Sequence, residues 1–306
     1  MSMGAVTVRA LAEHFKLEVL AAEERLDRQV TKPGGHRPGL EFVGYFDYFP
    51  MERVQVLGIK EITYLHKLTE LERNLHIGNI VKYHPPCFIV TSGQQEDGLK
   101  YLMRYCEEEG IPLLRTPLPT TEFIAVMDAF LVKELAERIA IHGVCVNVSG
   151  IGILLRGSSG AGKSETAHSL IRRGHRLVAD DVIVLKKLSP RTLLGTHNGK
   201  TKEFLALRSI GLINVVRLYG RKAFQEETRI ALDIELTKWR DNELNNELEV
   251  EERYTDYMGV RIPHIQIQLQ PGRDVASLVE AAANNWYLQQ QGYSAVEEFM
   301  SRLQEG

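Results

Sequence analysis

Residues 157 to 164, Gly-Ser-Ser-Gly-Ala-Gly-Lys-Ser, satisfy the pattern GxxxxGK(S/T) in full. Glycines that tolerate unusual φ/ψ let successive backbone N–H groups wrap a phosphate chain at a helix N-terminus. The loop Gly157, Ser158, Ser159, Gly160, Ala161, Gly162, Lys163, Ser164 therefore reads as a nucleotide-phosphate cradle. Lys163 would neutralise β/γ oxygens and the Ser164 hydroxyl would be a ligand for Mg²⁺.

A second group follows closely. Asp180 and Asp181 stand side by side in RRGHRLVADDVIVL. Two carboxylates across from a phosphate loop can divide the work of phosphoryl transfer: one orients Mg²⁺, the other takes the proton of an incoming hydroxyl. Run backwards, that base becomes the acid. Either aspartate fits either role at this stage. The short distance from Lys163 to the pair excludes an ordinary GTPase or AAA-type core, in which the acidic strand comes much later. His142, at the start of the strand leading toward the loop, is available for a phosphate-binding role. Arg208, in LALRSIGLINV, could clamp phosphate or cap a helix.

These groups need a scaffold. HGVCVNVSGIGILLRG alternates Val144, Val146 and Val148, turns at Ser149-Gly150 and continues as IGILL, a β-hairpin that delivers its second strand into the loop. SETAHSLIRR follows as a helix capped by Gly174, then RLV runs as a strand to the aspartates at its end and VIVL resumes. IPHIQIQLQ is a half-exposed strand, and DVASLVEAAANNWYLQQQG and SAVEEFMSRL are helices. Upstream, CFIVTSG and IPLLRT are strand-like and flank a helical segment ending at Gly110, which is βαβ material. The spacing predicts an α/β protein of two domains, a mixed α/β domain over 1–133 and a phosphate-binding domain over 134–306.

With 306 residues, 44% hydrophobic and 25% charged, the chain has material for two cores. Thirty-seven basic and 40 acidic side chains give a formal charge of −3, which favours neither nucleic acid nor a membrane surface. No signal peptide or spanning segment is evident, so a cytoplasmic location is expected. Cys87, Cys106 and Cys145 lack any CxxC spacing and read as buried thiols. The ten histidines lack metal-ligand spacing.

HGVCVNV, GSSGAGKSETA, RRGHRLVADD, LALRSIGLINV and QPGR with AAANNW, together with RPGLEFVGYFDYFP and VQVLGIKEITYL upstream, resemble the HPr kinase/phosphorylase family over nearly the whole chain. The resemblance implies a catalytic domain with a phosphoenolpyruvate-carboxykinase-like P-loop core, usually assembled as a hexamer. It also implies ATP or pyrophosphate as phosphoryl donor, Mg²⁺ as cofactor, and a serine of the phosphocarrier HPr as target, with phosphorolysis in reverse to regulate carbon metabolism. By position His142, Lys163 and Asp181, with its neighbour Asp180, match the family's catalytic residues; Arg208 and Arg273 match phosphate or substrate contacts.

The chain departs from the family pattern at four places. Ser158 stands where the family usually has Asp, Ala206 where it has a metal-binding Glu, Asn246 near its catalytic Arg, and Gln270 where PVRPGR has its first Arg. Glu203 is a candidate replacement for the missing Glu. Loss of a carboxylate ligand and an Arg weakens charge neutralisation in the transferring step, phosphorolysis most of all. A nucleotide-gated regulatory protein and a small-molecule kinase are the competing readings.

Overall fold

The computed structural model describes residues 4–93, 99–238, 253–270 and 272–304. It divides into two compact units, one ending at Ala136 and the other beginning at Glu137.

In the first unit a short pair, β1 (Val6–Thr7) with β3 (Gln29–Val30), lies beside a five-stranded sheet. The sheet order is β2 (Glu18–Ala21), β7 (Leu113–Arg115), β6 (Phe88–Val90), β5 (Val54–Leu57), β4 (Gly35–His36), with β4 to β7 parallel and β2 antiparallel to β7. Five helices connect or flank the strands: α1 (Val8–Phe15), α2 (Ile59–Lys67), α3 (Glu70–Val81), α4 (Lys100–Glu109) and α5 (Thr120–Glu134). Local chemistry fixes their ends. The Thr7 hydroxyl accepts from the Ala10 amide, Thr69 and Glu72 form a capping box, and Gly110 ends α4 at φ 61°. Cys87 and Cys106 are buried free thiols in the two cores on either side of this sheet.

The second unit is a seven-stranded sheet that closes partly on itself. Its order is β11 (Thr192–His197), β10 (Arg176–Ser189), β8 (Glu137–Val148), β9 (Ile151–Gly157), β14 (Glu227–Lys238), β16 (Val260–Leu269), β15 (Arg253–Tyr257). Since β11 also pairs with β14, the first five strands form a small barrel. Alternation sorts the side chains of β9: Ile151, Ile153 and Leu155 face the helices, and Leu154 points into the barrel with Cys145, Val178, Ile183 and Ile230. Helices α6 (Lys163–Arg172) and α8 (Val275–Gln290) cover the outer face with Ala167, Leu170, Val279 and Ala283. Each fully buried leucine such as Leu170 contributes about 1.5–3 kcal/mol by leaving water. A hairpin of β12 (Phe204–Leu207) and β13 (Gly211–Asn214), then α7 (Val215–Tyr219) and the C-terminal α9 (Ala295–Gln304), complete the unit.

The expected hairpin is β8–β9, and its two-residue turn uses positive φ at Ser149 (52°) and Gly150 (94°). Two local expectations are corrected. The aspartates do not end a strand, because β10 runs through them, paired to β8 from Arg176↔Asn147 to Lys187↔Glu137. His142 is not at a strand start either, since β8 begins at Glu137 and continues along the same ladder. The ladder runs through Asp181 although that residue takes a left-handed φ of 69°. Among the described residues no helix is long and apolar enough to cross a membrane.

Candidate active site

Strand β9 ends at Gly157 and the loop that follows enters α6 at Lys163. The glycines meet real steric demands. Gly157 has φ 142° and a Cβ there would stand 2.4 Å from the Leu236 carbonyl oxygen; Gly160 and Gly162 have φ 79° and 78°. Lys163 Nζ donates to the carbonyls of Gly157 at 2.9 Å and Ser158 at 3.0 Å, so the ammonium is held over the loop mouth.

The neighbouring aspartates have opposite environments. Asp180 is 5% exposed; it accepts from Ser164 Oγ at 3.1 Å and from the Ala206 amide at 2.9 Å. Burial pushes its carboxyl above the ordinary value, against the hydrogen bonds from Ala206 and Ser164. Asp181 has its side chain 73% exposed, with Oδ1 3.6 Å from His142 Nδ1 on the adjacent strand. All four line one cleft of about 580 Å³ with Gly143, Gly157, Ser159, Gly160, Lys163 and Ala206. The cleft thus holds a phosphate loop with its lysine, a buried carboxylate beside a hydroxyl, and a free carboxylate beside an imidazole.

Ser164 Oγ and the Asp180 carboxylate are adjacent hard oxygen donors, the type Mg²⁺ accepts while keeping most of its waters. Among the described residues no three His, Cys, Asp or Glu side chains converge as a metal cluster. Ala206 contributes only its amide, and its side chain brings no carboxylate to the cleft. Glu203 is not among the cleft residues, and its carboxylate pairs with Arg221 at 3.2 Å.

Arg208 caps no helix. It sits at the β12–β13 turn, where its amide donates to Glu165 Oε1 at 3.3 Å, and its guanidinium lies so close to Gly160 that a Cβ there would be 2.7 Å from Nη2. Arg273 is exposed, just ahead of α8, and is not among the cleft residues. Asn246 lies outside the described residues.

Two cleft residues, Thr201 and Phe204, lie outside the quoted motifs, and a third, Leu212, lies in LALRSIGLINV with no role assigned to it there. Thr201 belongs to the polar Gly-containing loop preceding β12, which marked a loop without marking its position. Phe204 and Leu212 reach the cleft only through the β12–β13 pairing, which places Ala206 opposite Leu212.

Two family models cover the chain: HPr Serine kinase N terminus over residues 6–131 and HPr Serine kinase C-terminal domain over 133–303. A protein of Oceanobacillus iheyensis provisionally named HPr kinase/phosphorylase 2 is 66% identical over 302 residues, 99% of this chain and 98% of its own. The HPr kinase/phosphorylases of Halalkalibacterium halodurans and Bacillus subtilis are 38% and 36% identical over 301 residues, 98% of this chain and 96% of theirs. A solved structure, the Hpr(Ser) kinase/phosphatase from Coxiella burnetii, is 31% identical, covers 53% of this chain and 98% of its own, and superposes with a TM-score of 0.48. The chain belongs to the HPr kinase/phosphorylase family.

Proposed function

We propose that this enzyme transfers the γ-phosphoryl group of ATP to a serine hydroxyl of an HPr-like phosphocarrier protein. The observation that carries the reading is the joint placement of Lys163, Ser164, Asp180 and the His142–Asp181 pair in one cleft. The loop amides and Lys163 hold the β- and γ-phosphates in place. Ser164 and Asp180 would hold Mg²⁺, which when bound would neutralise charge developing on the phosphates.

Asp181 is the base in this assignment. As the serine oxygen forms its bond to the γ-phosphorus, the hydroxyl proton passes to the Asp181 carboxylate. The bond from that phosphorus to the β,γ-bridging oxygen breaks, and its electron pair stays on ADP. His142, when protonated, adds positive charge beside Asp181 and the incoming phosphate. In the reverse sense Asp181 returns the proton to the serine oxygen while inorganic phosphate attacks the phosphoserine phosphorus, releasing pyrophosphate. Pyrophosphate can then also serve as donor in the forward direction. With Ala206 in place of a carboxylate, the forward reaction is the stronger of the two.

The domain division at residue 133, assembly as a hexamer and a cytoplasmic location complete the proposal, supported by full-length similarity to curated members of the family. Incubation with HPr and γ-labelled ATP, followed by a chase with unlabelled phosphate, tests both directions. Labelled phosphoserine followed by slow release of labelled pyrophosphate is expected; no label on HPr overturns the reading.

A further inference from the structure

The face of the sheet opposite α6 carries a polar cluster with no place in the chemistry above. Asp233 on β14 is completely buried, and its carboxylate receives four donors. Arg156 donates from Nε at 2.6 Å and from Nη2 at 2.5 Å, Thr255 Oγ1 at 2.5 Å, and His264 presents Nδ1 at 2.9 Å. Four donors fill the acceptor sites of an ionised carboxylate. Arg156 and Thr255 supply three of these donors, and His264 Nδ1 completes the set in the tautomer that carries its proton there. Burial would raise the Asp233 carboxyl, but the Arg156, Thr255 and His264 hydrogen bonds outweigh it and hold it below the ordinary range.

The placement of Arg156 ties this cluster to the cleft. It is the residue before Gly157, and in the β9–β14 register Arg156 faces Glu235 and Gly157 faces Leu236. On the other side, its Cγ would lie 3.6 Å from a Cβ on Gly143. Gly143 in turn pairs with Asp181 across β8–β10 and follows His142. Arg156 thus stands on the strand entering the phosphate loop, with its stem filling the space beside Gly143 on the strand carrying His142. A buried bidentate Arg–carboxylate pair has far narrower geometry than an apolar contact.

We propose that the Arg156–Asp233 pair is a positioning device that fastens the end of β9, and with it the entry to the phosphate loop, to β14, and so keeps the loop in place relative to the His142–Asp181 pair on the neighbouring strands of the same sheet. The inference rests on the reading of the cleft as a phosphoryl-transfer site. Neither residue touches the reacting atoms. Their effect is on in-line alignment of hydroxyl, phosphorus and base, where a misplacement of about 1 Å costs roughly 100-fold in rate.

The test uses the full chain and three variants: Asp233→Asn, Arg156→Lys and the double variant Arg156→Met with Asp233→Leu. Removing both charges for apolar groups of similar size avoids a lone buried ion, so the double variant melts closer to the parent than Asp233→Asn does. Measured are kcat with HPr, nucleotide Kd, melting temperature, and hydrogen exchange of peptides covering 140–146 and 154–160. Expected are kcat losses of about 10- to 100-fold in Asp233→Asn and the double variant, nucleotide Kd within about three-fold of the parent, and a smaller loss in Arg156→Lys, which keeps charge without the fork. Exchange should quicken in both peptides. Unchanged kcat or unchanged exchange in a folded double variant overturns the proposal, as does a loss that follows melting temperature alone. A parent protein that never labels HPr sinks the functional reading instead, and exchange then decides the positioning claim by itself.

Discussion

His142 Nδ1 stands 3.6 Å from Asp181 Oδ1 on a diagonal across β8 and β10, where His142 pairs with Val182 and Asp181, at φ 69°, pairs with Gly143. That left-handed residue inside a strand interrupts the alternation of side chains. The two consecutive aspartates differ in kind: Asp180 is buried against Ser164 and the Ala206 amide, and Asp181 is exposed beside the His142 imidazole. The proposed base must meet its substrate's proton, and the exposure of Asp181 suits it to that role.

The buried aspartate should cost stability. A carboxyl raised above its ordinary 3.8 by burial binds its proton more tightly in the folded state, so ionising it works against folding. The sign follows: stability from this group is greatest in acid and falls as pH rises through 3.8 and the raised folded value. Asp180→Asn, which keeps both hydrogen-bond partners within reach, should melt at or above the parent's temperature at pH 7 without metal, and the gain should vanish below pH 3.8. The same variant should lose Mg²⁺ affinity. Thermal melts across pH with and without Mg²⁺ check both; a variant that melts lower at pH 7 contradicts the assignment.

Lys163 is held by two carbonyls of its own loop, and in the proposed reaction those bonds are exchanged for phosphate oxygens. Lys163→Met leaves the loop without its fixed positive charge. ATP affinity should fall by at least about ten-fold, since charge-assisted hydrogen bonds are worth about 1.5–3 kcal/mol each. Calorimetric titration with ATP measures it, and an unchanged Kd would mean that the loop amides alone set affinity.

Ala206 offers a gain-of-function test. Its amide already binds Asp180, and its side chain borders the cleft. Ala206→Glu adds a carboxylate beside the Ser164–Asp180 oxygens. The Mg²⁺ concentration for half-maximal transfer should drop several-fold, with phosphorolysis rising more than the kinase reaction. Magnesium titrations in both directions read this out; equal rates in both directions leave Ala206 without the assigned effect.

Much of this site is legible in the sequence because its parts are short and local. A hairpin turn, a Gly-rich loop, a helix cap and an Asp-Asp dipeptide each depend on neighbouring residues, and the β8–β9–loop–α6–β10 succession follows from them. What is not legible depends on pairing between distant segments. The carboxylate of Asp180 meets the Ala206 amide across 26 residues, and Arg156 meets Asp233 across 77. No periodicity announces either contact. The continuous β10 was hidden for a different reason: adjacent aspartates have low strand propensity, and the ladder to β8 overrides it.

The most direct test of the account is a single-turnover assay with γ-labelled ATP, Mg²⁺ and HPr, comparing the parent with Asp181→Asn and measuring ATP binding in parallel. The account predicts label on a serine of HPr in the parent, a loss of about 100- to 10,000-fold in Asp181→Asn, and ATP affinity unchanged. Equal transfer by both proteins, or ATP binding without any transfer by the parent, contradicts it.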